Sequence, residues 1–242
     1  MEIKKYKSVT STNDVAKELA RSGAAEWTVV LANEQTGGRG RKNRVWYSPP
    51  DVGLWFSVIL RHRIPVIDAA KIGLVTALGV ANTLRSELSL AAQIKWPNDV
   101  LIGQRKVSGI LLESISSGGK LEALIVGIGI NVNQTAFPEP IAQTATSLRL
   151  ELNRIVPRDI LLPRLLEELQ RQFDRFRQGN FHHQMREWRR LCPMLGKPVT
   201  LHTTGGNITG TAVDVGDEGA LIVRKPDGVH LRFFAGDVSI SL

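Results

Sequence analysis

Two apolar, β-rich runs, Trp27–Ala32 and Leu54–Leu60, are separated by a polar, glycine-rich and basic stretch over residues 34–50 that closes with Pro49-Pro50. Short apolar runs of this kind read as buried strands. The stretch between them is therefore a long loop held at both ends by a sheet, and a loop that long in a compact fold is either functional or disordered. Its centre reads Gln35-Thr36-Gly37-Gly38-Arg39-Gly40-Arg41-Lys42-Asn43-Arg44-Val45-Trp46. The glycines let backbone N–H groups approach a ligand closely. The cations Arg39, Arg41, Lys42 and Arg44 bring guanidinium forks that suit phosphate and carboxylate oxygens. The segment has neither the GxxxxGK[ST] nor the GxGxxG pattern. An arginine- and glycine-rich nucleic-acid tail is the competing reading, but such tails lie outside a fold, whereas this segment joins two strands.

Around that loop the pattern is mixed. Ser11-Thr12-Asn13 ahead of Asp14–Ala20, with Gly23 beyond, has the capping residue, early acid and glycine stop of a helix. Ala69, Ile72, Val75 and Leu78 recur at helical spacing in a segment predicted to run from Asp68 to Leu84. Gln93–Trp96 and Asp99–Ile102 flank a Pro97-Asn98 turn, and Val107–Ser114 and Leu121–Val132 read as strands joined by a Ser-Gly-Gly loop at residues 117–119. Helices are expected after Pro157 and over Phe181–Leu191. The main domain is thus α+β, a mixed β-sheet with helices. Beyond Cys192-Pro193, short alternating runs are broken by Gly205-Gly206, Asp217-Glu218-Gly219, Pro226-Asp227-Gly228 and Ala235-Gly236-Asp237, the texture of a small all-β barrel. The expected domains are therefore 1–192 and 193–242.

With 242 residues, 43% of them hydrophobic, the chain can bury a core without staples. Its one cysteine excludes an internal disulfide and fits a reducing, cytoplasmic setting. The first residues are basic with no apolar run behind them, so no signal peptide is expected, and no apolar stretch reaches the roughly 18 residues that a membrane helix needs. The net charge of +8 fits nucleic acid, small anions or an acidic protein partner, and does not choose among them.

Three further segments hold polar groups amid apolar sequence. Lys95-Trp96-Pro97-Asn98-Asp99 can display Lys95, Asn98 and Asp99 at one rim, or be a simple hairpin turn. In Lys106-Val107-Ser108-Gly109-Ile110-Leu111 a cation heads an apolar strand and Gly109 admits a close neighbour; a lone strand-edge lysine also serves to block pairing. Gly127 and Gly129, ahead of Asn131, weaken a strand unless a bulge or a packing partner explains them.

Taken in order, Ser11-Thr12-Asn13, Gln35 to Trp46, Lys95 to Asp99, Lys106 to Leu111 and Gly127 to Asn131 resemble the catalytic core of biotin–protein ligases (biotin–[acetyl-CoA-carboxylase] ligases), of the type lacking an N-terminal DNA-binding domain. The chain departs from the family at Asn43, where the basic loop usually has a glycine; asparagine tolerates positive φ better than most residues. The resemblance implies a fold like that of class II aminoacyl-tRNA synthetases, with a small C-terminal barrel. It also implies a two-step reaction: the biotin carboxylate attacks ATP to give biotinyl-5'-AMP, and a lysine of a biotin carboxyl carrier domain then takes the biotinyl group.

On that resemblance, Arg39, Arg41 and Lys106 are catalytic. Ser11, Thr12, Asn13, Gln35, Gly38, Gly40 and Gly109 join them in holding biotin. Arg41, Arg44, Trp46, Lys95, Asn98, Asp99 and Asn131 border ATP, with Asp99 a candidate ligand of its Mg²⁺. The resemblance is compatible with a homodimer and implies no DNA partner. It also makes the acidic carrier domain the natural counterpart of the net positive charge. A lipoate–protein ligase of the same fold and a nucleic-acid-binding module are the alternatives. The first lacks a use for ureido-pairing Ser11, Thr12 and Gln35, and the second leaves Lys95–Asp99 and Lys106–Leu111 unexplained.

Overall fold

The computed structural model describes residues 1–61, 68–117, 120–203 and 205–240. In chain order the elements are β1 (Glu2–Tyr6), α1 (Thr12–Arg21), β2 (Thr28–Ala32), β3 (Gly53–Leu60), α2 (Ala69–Leu88), β4 (Ala92–Lys95), β5 (Asp99–Ile102), β6 (Arg105–Ser117), β7 (Lys120–Asn131), α3 (Leu148–Leu152), α4 (Arg158–Arg177), α5 (Phe181–Leu191), β8 (Pro198–Thr203), β9 (Gly206–Val215), β10 (Leu221–Arg224), β11 (His230–Phe233) and β12 (Asp237–Ile240). They group into two compact units, Met1–Ala69 with Leu101–Leu165, and Ala70–Val100 with Leu166–Leu242. The glycines of the Ser-Gly-Gly loop expected at 117–119 lie outside the described residues.

In the first unit, strands lie side by side in the order β1-β2-β3-β7-β6. β1 runs parallel to β2, and the other neighbours are antiparallel. β3 is buried along its whole length, so both of its faces are covered. That explains an unbroken apolar run rather than an alternating one. Register aligns three rows on one face: Ile59, Ile125 and Glu113; then Val30, Ser57, Gly127 and Leu111; then Ala32, Trp55, Gly129 and Gly109. Ala16 and Ala20 of α1 pack over the first of these rows, in a cluster with Val30, Ile59, Ile115, Ala123 and Ile125. Small residues on that side of the helix let its backbone lie close to the sheet.

The second unit holds most of α2 and α4, all of α5, and an antiparallel five-stranded sheet of order β11-β10-β9-β8-β12. α2 begins one residue after Asp68 and continues to Leu88, past the expected Leu84. Every residue from Ile72 to Ala81 is buried, so it is a core helix rather than an amphipathic one. Its buried hydroxyls are satisfied internally, Thr76 and Thr83 donating to the Ile72 and Gly79 carbonyls at 2.7 and 2.9 Å. α5 is tied to β9 by Arg189, which donates to Asp214 at 2.6 Å and to the Val215 carbonyl at 2.7 Å. The Cys192 thiol is buried, and desolvation pushes its pKa up to about 11. Among the described residues no helix is long and apolar enough to cross a membrane.

Two elements were not legible in the sequence. β1 is basic and carries no apolar alternation, and α3 has only five residues.

Candidate active site

The site grows from the N-terminus of α1. Ser11 sits at the cap position in extended conformation, but its hydroxyl makes no capping bond. The cap comes from the basic loop instead: Gln35 Oε1 accepts from the Thr12 N–H at 2.8 Å and lies 3.0 Å from the Thr12 hydroxyl. One of the orphan N–H groups of the helix start is thus satisfied by a residue 23 positions away. Gln35 Nε2 donates to Ser48 Oγ at 3.0 Å, and Ser48 donates to the Trp46 carbonyl at 3.0 Å. The ends of the loop and the first turn of α1 therefore form one polar assembly, in which Ser11, Thr12, Asn13 and Ser48 are all buried.

The loop itself is a folded hairpin. The Trp46 N–H donates to the Gly38 carbonyl at 2.9 Å, and the Gly40 N–H donates to the Arg44 carbonyl at 2.7 Å. A short 3-10 turn, Arg41–Asn43, forms its tip. Lys42 and Asn43 there have φ of 55° and 57°. Asn43 thus occupies the left-handed region that its side chain tolerates, which accounts for the missing glycine. Gly38 is buried, whereas Arg44 is exposed and Arg41 only half-buried.

Below the loop lies the third row of the sheet. Trp46 rests on it so closely that a Cβ on Gly129 would stand 2.3 Å from its Nε1, and one on Gly109 would stand 3.0 Å from its Cζ3. In the second row, a Cβ on Gly127 would stand 2.3 Å from Asn13 Oδ1. The glycines in β7 are therefore explained by side-chain packing. Lys106 Nζ stands 5.1 Å from the Trp46 ring centroid, a cation–π distance. Trp55 meets the Trp46 ring edge-on, with centroids 6.4 Å apart.

An ionic cluster borders the same face. Arg39 grips Asp14 with both terminal nitrogens, at 2.8 and 2.6 Å. Lys17 Nζ reaches Glu113 at 2.7 Å and Asp14 at 3.2 Å. Arg39 is also 3.9 Å from Glu113. The hydrogen bond from Arg39 holds the Asp14 carboxyl below its ordinary pKa, and the same bond raises that of Arg39. Asn13 Nδ2 donates to Glu113 at 2.6 Å, and Ser57 Oγ lies 2.6 Å from Asn13 Oδ1 and 2.8 Å from Thr12 Oγ1.

Asn131 is buried and held by two hydrogen bonds: its Nδ2 donates to the Thr146 carbonyl and its Oδ1 accepts from Gln134, both at 3.0 Å. The segment carrying Thr146 also holds Lys106. The Lys106 N–H donates to the Thr144 carbonyl at 2.8 Å, and the Lys106 carbonyl accepts from the Thr146 N–H at 2.9 Å. Ser11, Thr12, Asn13, Gln35, Gly38, Arg39, Gly40, Arg41, Arg44, Trp46, Lys106, Gly109 and Asn131 all fall in the first unit. Lys95, Asn98 and Asp99 belong to the second, where they are half-buried around the β4–β5 turn; Trp96 anchors that turn by donating to the Gly219 carbonyl at 3.1 Å.

Sequence reasoning missed Asp14, Ser48, Ser57, Glu113, Gln134 and Thr146. Ser57 is the one hydroxyl in apolar β3 and Glu113 the one carboxylate in β6, but neither fact shows which side chain stands opposite.

Comparison with known proteins agrees with this geometry. Residues 6–131 match the biotin/lipoate A/B protein ligase family, and residues 194–241 match the biotin protein ligase C-terminal domain. A biotin–[acetyl-CoA-carboxylase] ligase of Paracoccus denitrificans is 36% identical over 90% of this chain and 92% of its own. A bifunctional ligase/repressor BirA of Bacillus spizizenii is 32% identical over 96% of this chain and 72% of its own. Among solved structures, a biotin protein ligase from Aquifex aeolicus in complex with biotin and ATP superposes with a TM-score of 0.87 at 31% identity, covering 99% of this chain and 98% of that one. The cap-sharing loop, the glycine rows and the lysine beside them are thus features of a chain that belongs to the biotin/lipoate A/B protein ligase family.

Proposed function

We propose that this chain is an ATP-dependent biotin–protein ligase that forms biotinyl-5'-AMP and passes biotin to a lysine of a biotin carboxyl carrier domain. The observation that carries the reading is the convergence of Thr12, Gln35, Trp46, Lys106 and the glycine rows on one face of one sheet. The likeness to a ligase solved with biotin and ATP supports it, as does the biotin-specific match of the C-terminal segment. A lipoate ligase would share the fold but has no cyclic urea to pair with Thr12 and Gln35.

In the first step a biotin carboxylate oxygen attacks the α-phosphorus of ATP. A P–O bond forms, the bond to the β-phosphate bridging oxygen breaks, and pyrophosphate leaves. Two anions must meet, so fixed cations are the main device. Lys106 is held at its backbone N–H and carbonyl by the Thr144–Thr146 segment and would face the carboxylate; Arg41 and Arg44, on the loop tip, would face phosphate. Arg39 has its fork on Asp14, so it shapes the loop and neutralises that carboxylate as well as bordering biotin. In the second step the acceptor amine attacks the carbonyl carbon, AMP departs with its oxygen, and the amine gives up a proton. Lys106 would then stabilise the oxyanion.

Trp46 and Asn131 would border adenine, and Lys95, Asn98 and Asp99 the phosphates. Mg²⁺ would enter with ATP, and Asp99 is the carboxylate proposed to help hold it. The functional division would run as 1–192 for catalysis and 193–242 for the terminal all-β part, supported by a family match that starts at residue 194. The single cysteine supports action in the cytoplasm.

Pyrophosphate release with ATP, Mg²⁺ and biotin tests the reading, with lipoate in parallel. Biotin should drive release and lipoate should not. Lys106→Ala and Arg41→Ala should each slow it by about 10²–10³-fold, the range for removing a positioned transition-state partner. Release driven by lipoate alone, or by neither acid, would overturn it.

A further inference from the structure

Thr146 stands between two residues that the proposed reaction assigns to different substrates. β7 pairs with β6 from Ser108 onward, so Lys106 lies beyond that ladder and takes its partners from another segment. Its N–H donates to the Thr144 carbonyl at 2.8 Å, and its carbonyl accepts from the Thr146 N–H at 2.9 Å. The Thr146 carbonyl in turn accepts from Asn131 Nδ2 at 3.0 Å. A single residue thus joins the start of β6 to the end of β7. On the proposed reading Lys106 faces the carboxylate of biotin and Asn131 the base of ATP, so Thr146 sets how far apart the two reactants are held.

Thr146 lies outside helix and strand, and such a segment keeps a fixed spacing only if its side chains are anchored. Thr146 is fully buried, and its hydroxyl donates to Glu151 Oε1 at 2.5 Å. The same carboxylate oxygen accepts from Arg105 Nη2 at 2.7 Å. Arg105 directly precedes Lys106, so Glu151 grips both the strap and the strand that the strap clasps. Hydrogen bonds to an ionised group are shorter and roughly twice as strong as neutral ones. Glu151 is itself held by α3, whose first turn Ser147 caps: its Oγ accepts from the Leu150 N–H at 3.2 Å and donates to the Gln134 carbonyl at 2.6 Å. The Glu151 side chain is 16% exposed against 48% for Arg105, which leaves the bond to Thr146 the better shielded of the two.

We propose that Glu151 is a positioning residue for adenylation: through Thr146 and Arg105 it fixes the spacing between Lys106 and Asn131, and so the approach of the biotin carboxylate to the α-phosphorus of ATP. This rests on the ligase reading and adds to it the group that sets its geometry. Each substrate is held at its own end of the strap. Loosening the strap therefore leaves the separate affinities nearly intact and penalises the step that needs both reactants in register.

Pyrophosphate release at saturating biotin and ATP tests this, alongside the calorimetric affinity for biotin and the KM for ATP. Glu151→Ala should lower kcat by about 10- to 10²-fold, the range for a misplacement of about 1 Å, while biotin affinity and the KM for ATP change little. Glu151→Gln keeps an oxygen for Thr146 and Arg105 and should recover most of kcat. Thr146→Val removes the hydroxyl alone and keeps the branched shape, so it reports on the strap even where Glu151→Ala does not fold; kcat should fall there too. In a Lys106→Ala background either change should cost little more, because a spacing with one end removed has nothing left to set and losses within one unit are not additive. A kcat unaltered by Thr146→Val and Glu151→Ala, or a loss that multiplies in full on top of Lys106→Ala, overturns the inference. So does a fall in biotin affinity as large as the fall in kcat, which would reduce Glu151 to packing. No pyrophosphate release by the intact protein would instead remove the ligase reading beneath it.

Discussion

At the scale of single residues, the site is set by polar groups whose partners are distant in sequence. Asp14 and Arg39 are 25 positions apart, yet they make a two-pronged ion pair. Because that pair lowers the folded-state pKa of Asp14, its stabilising contribution is present above the unfolded carboxylate value of about 3.9 and is lost as pH falls through the lower folded value. Asp14 is 37% exposed, so solvent screening holds the contribution below about 1 kcal/mol. Urea unfolding from pH 7 down to pH 2 should show Asp14→Asn slightly less stable than the parent at neutral pH and the two curves converging in acid. A gap that stays constant or widens in acid would contradict this linkage. Ser11-Thr12-Asn13, Gln35 and Lys106 were legible because unusual residue types recur there in a family order. Ser57 and Glu113 were not, because their meaning lies in which side chains stand opposite them across the sheet, and register cannot be read from one strand.

At the scale of elements, the sequence is most readable where periodicity and punctuation agree. α1, β3 and α5 form where apolar spacing, capping residues and glycine stops predict them. α2 runs past the expected Leu84 through Arg85, Ser86 and Glu87, exposed residues that continue the helix without adding the apolar positions that would have marked it in the sequence. The basic hairpin is the element on which the proposed function rests. Its ends are pinned to α1 and to the sheet, whereas its tip, Lys42 to Val45, is exposed and carries two tryptic sites. Exposed loop tips are where proteases nick first, and binding loops that close over a reaction exclude water from it. Limited trypsin digestion should therefore cut at Lys42 or Arg44 in the free protein and slow several-fold with biotin plus ATP, as a loop closing over its ligand becomes protected. Equal rates in both conditions would remove closure from the mechanism.

At the scale of the whole molecule, the net charge of +8 bears on encounter more than on chemistry. On the proposed reading, adenylation rests on Lys106 and the cations of the hairpin, whereas transfer requires a second protein to arrive. With an acidic carrier domain as acceptor, added salt should slow the transfer step and leave pyrophosphate release nearly unchanged, since screening acts over about 10 Å at 0.1 M salt. Identical salt slopes for the two steps would count against steering. The one thiol in the chain is buried and its pKa is pushed up to about 11, so little of it is thiolate near neutrality. A second cysteine placed at Val45, which is 87% exposed at the hairpin tip, would therefore take a maleimide fluorophore while the native one stays silent. The motion of the tip can be followed optically, in real time, in a protein that keeps every other side chain it was born with.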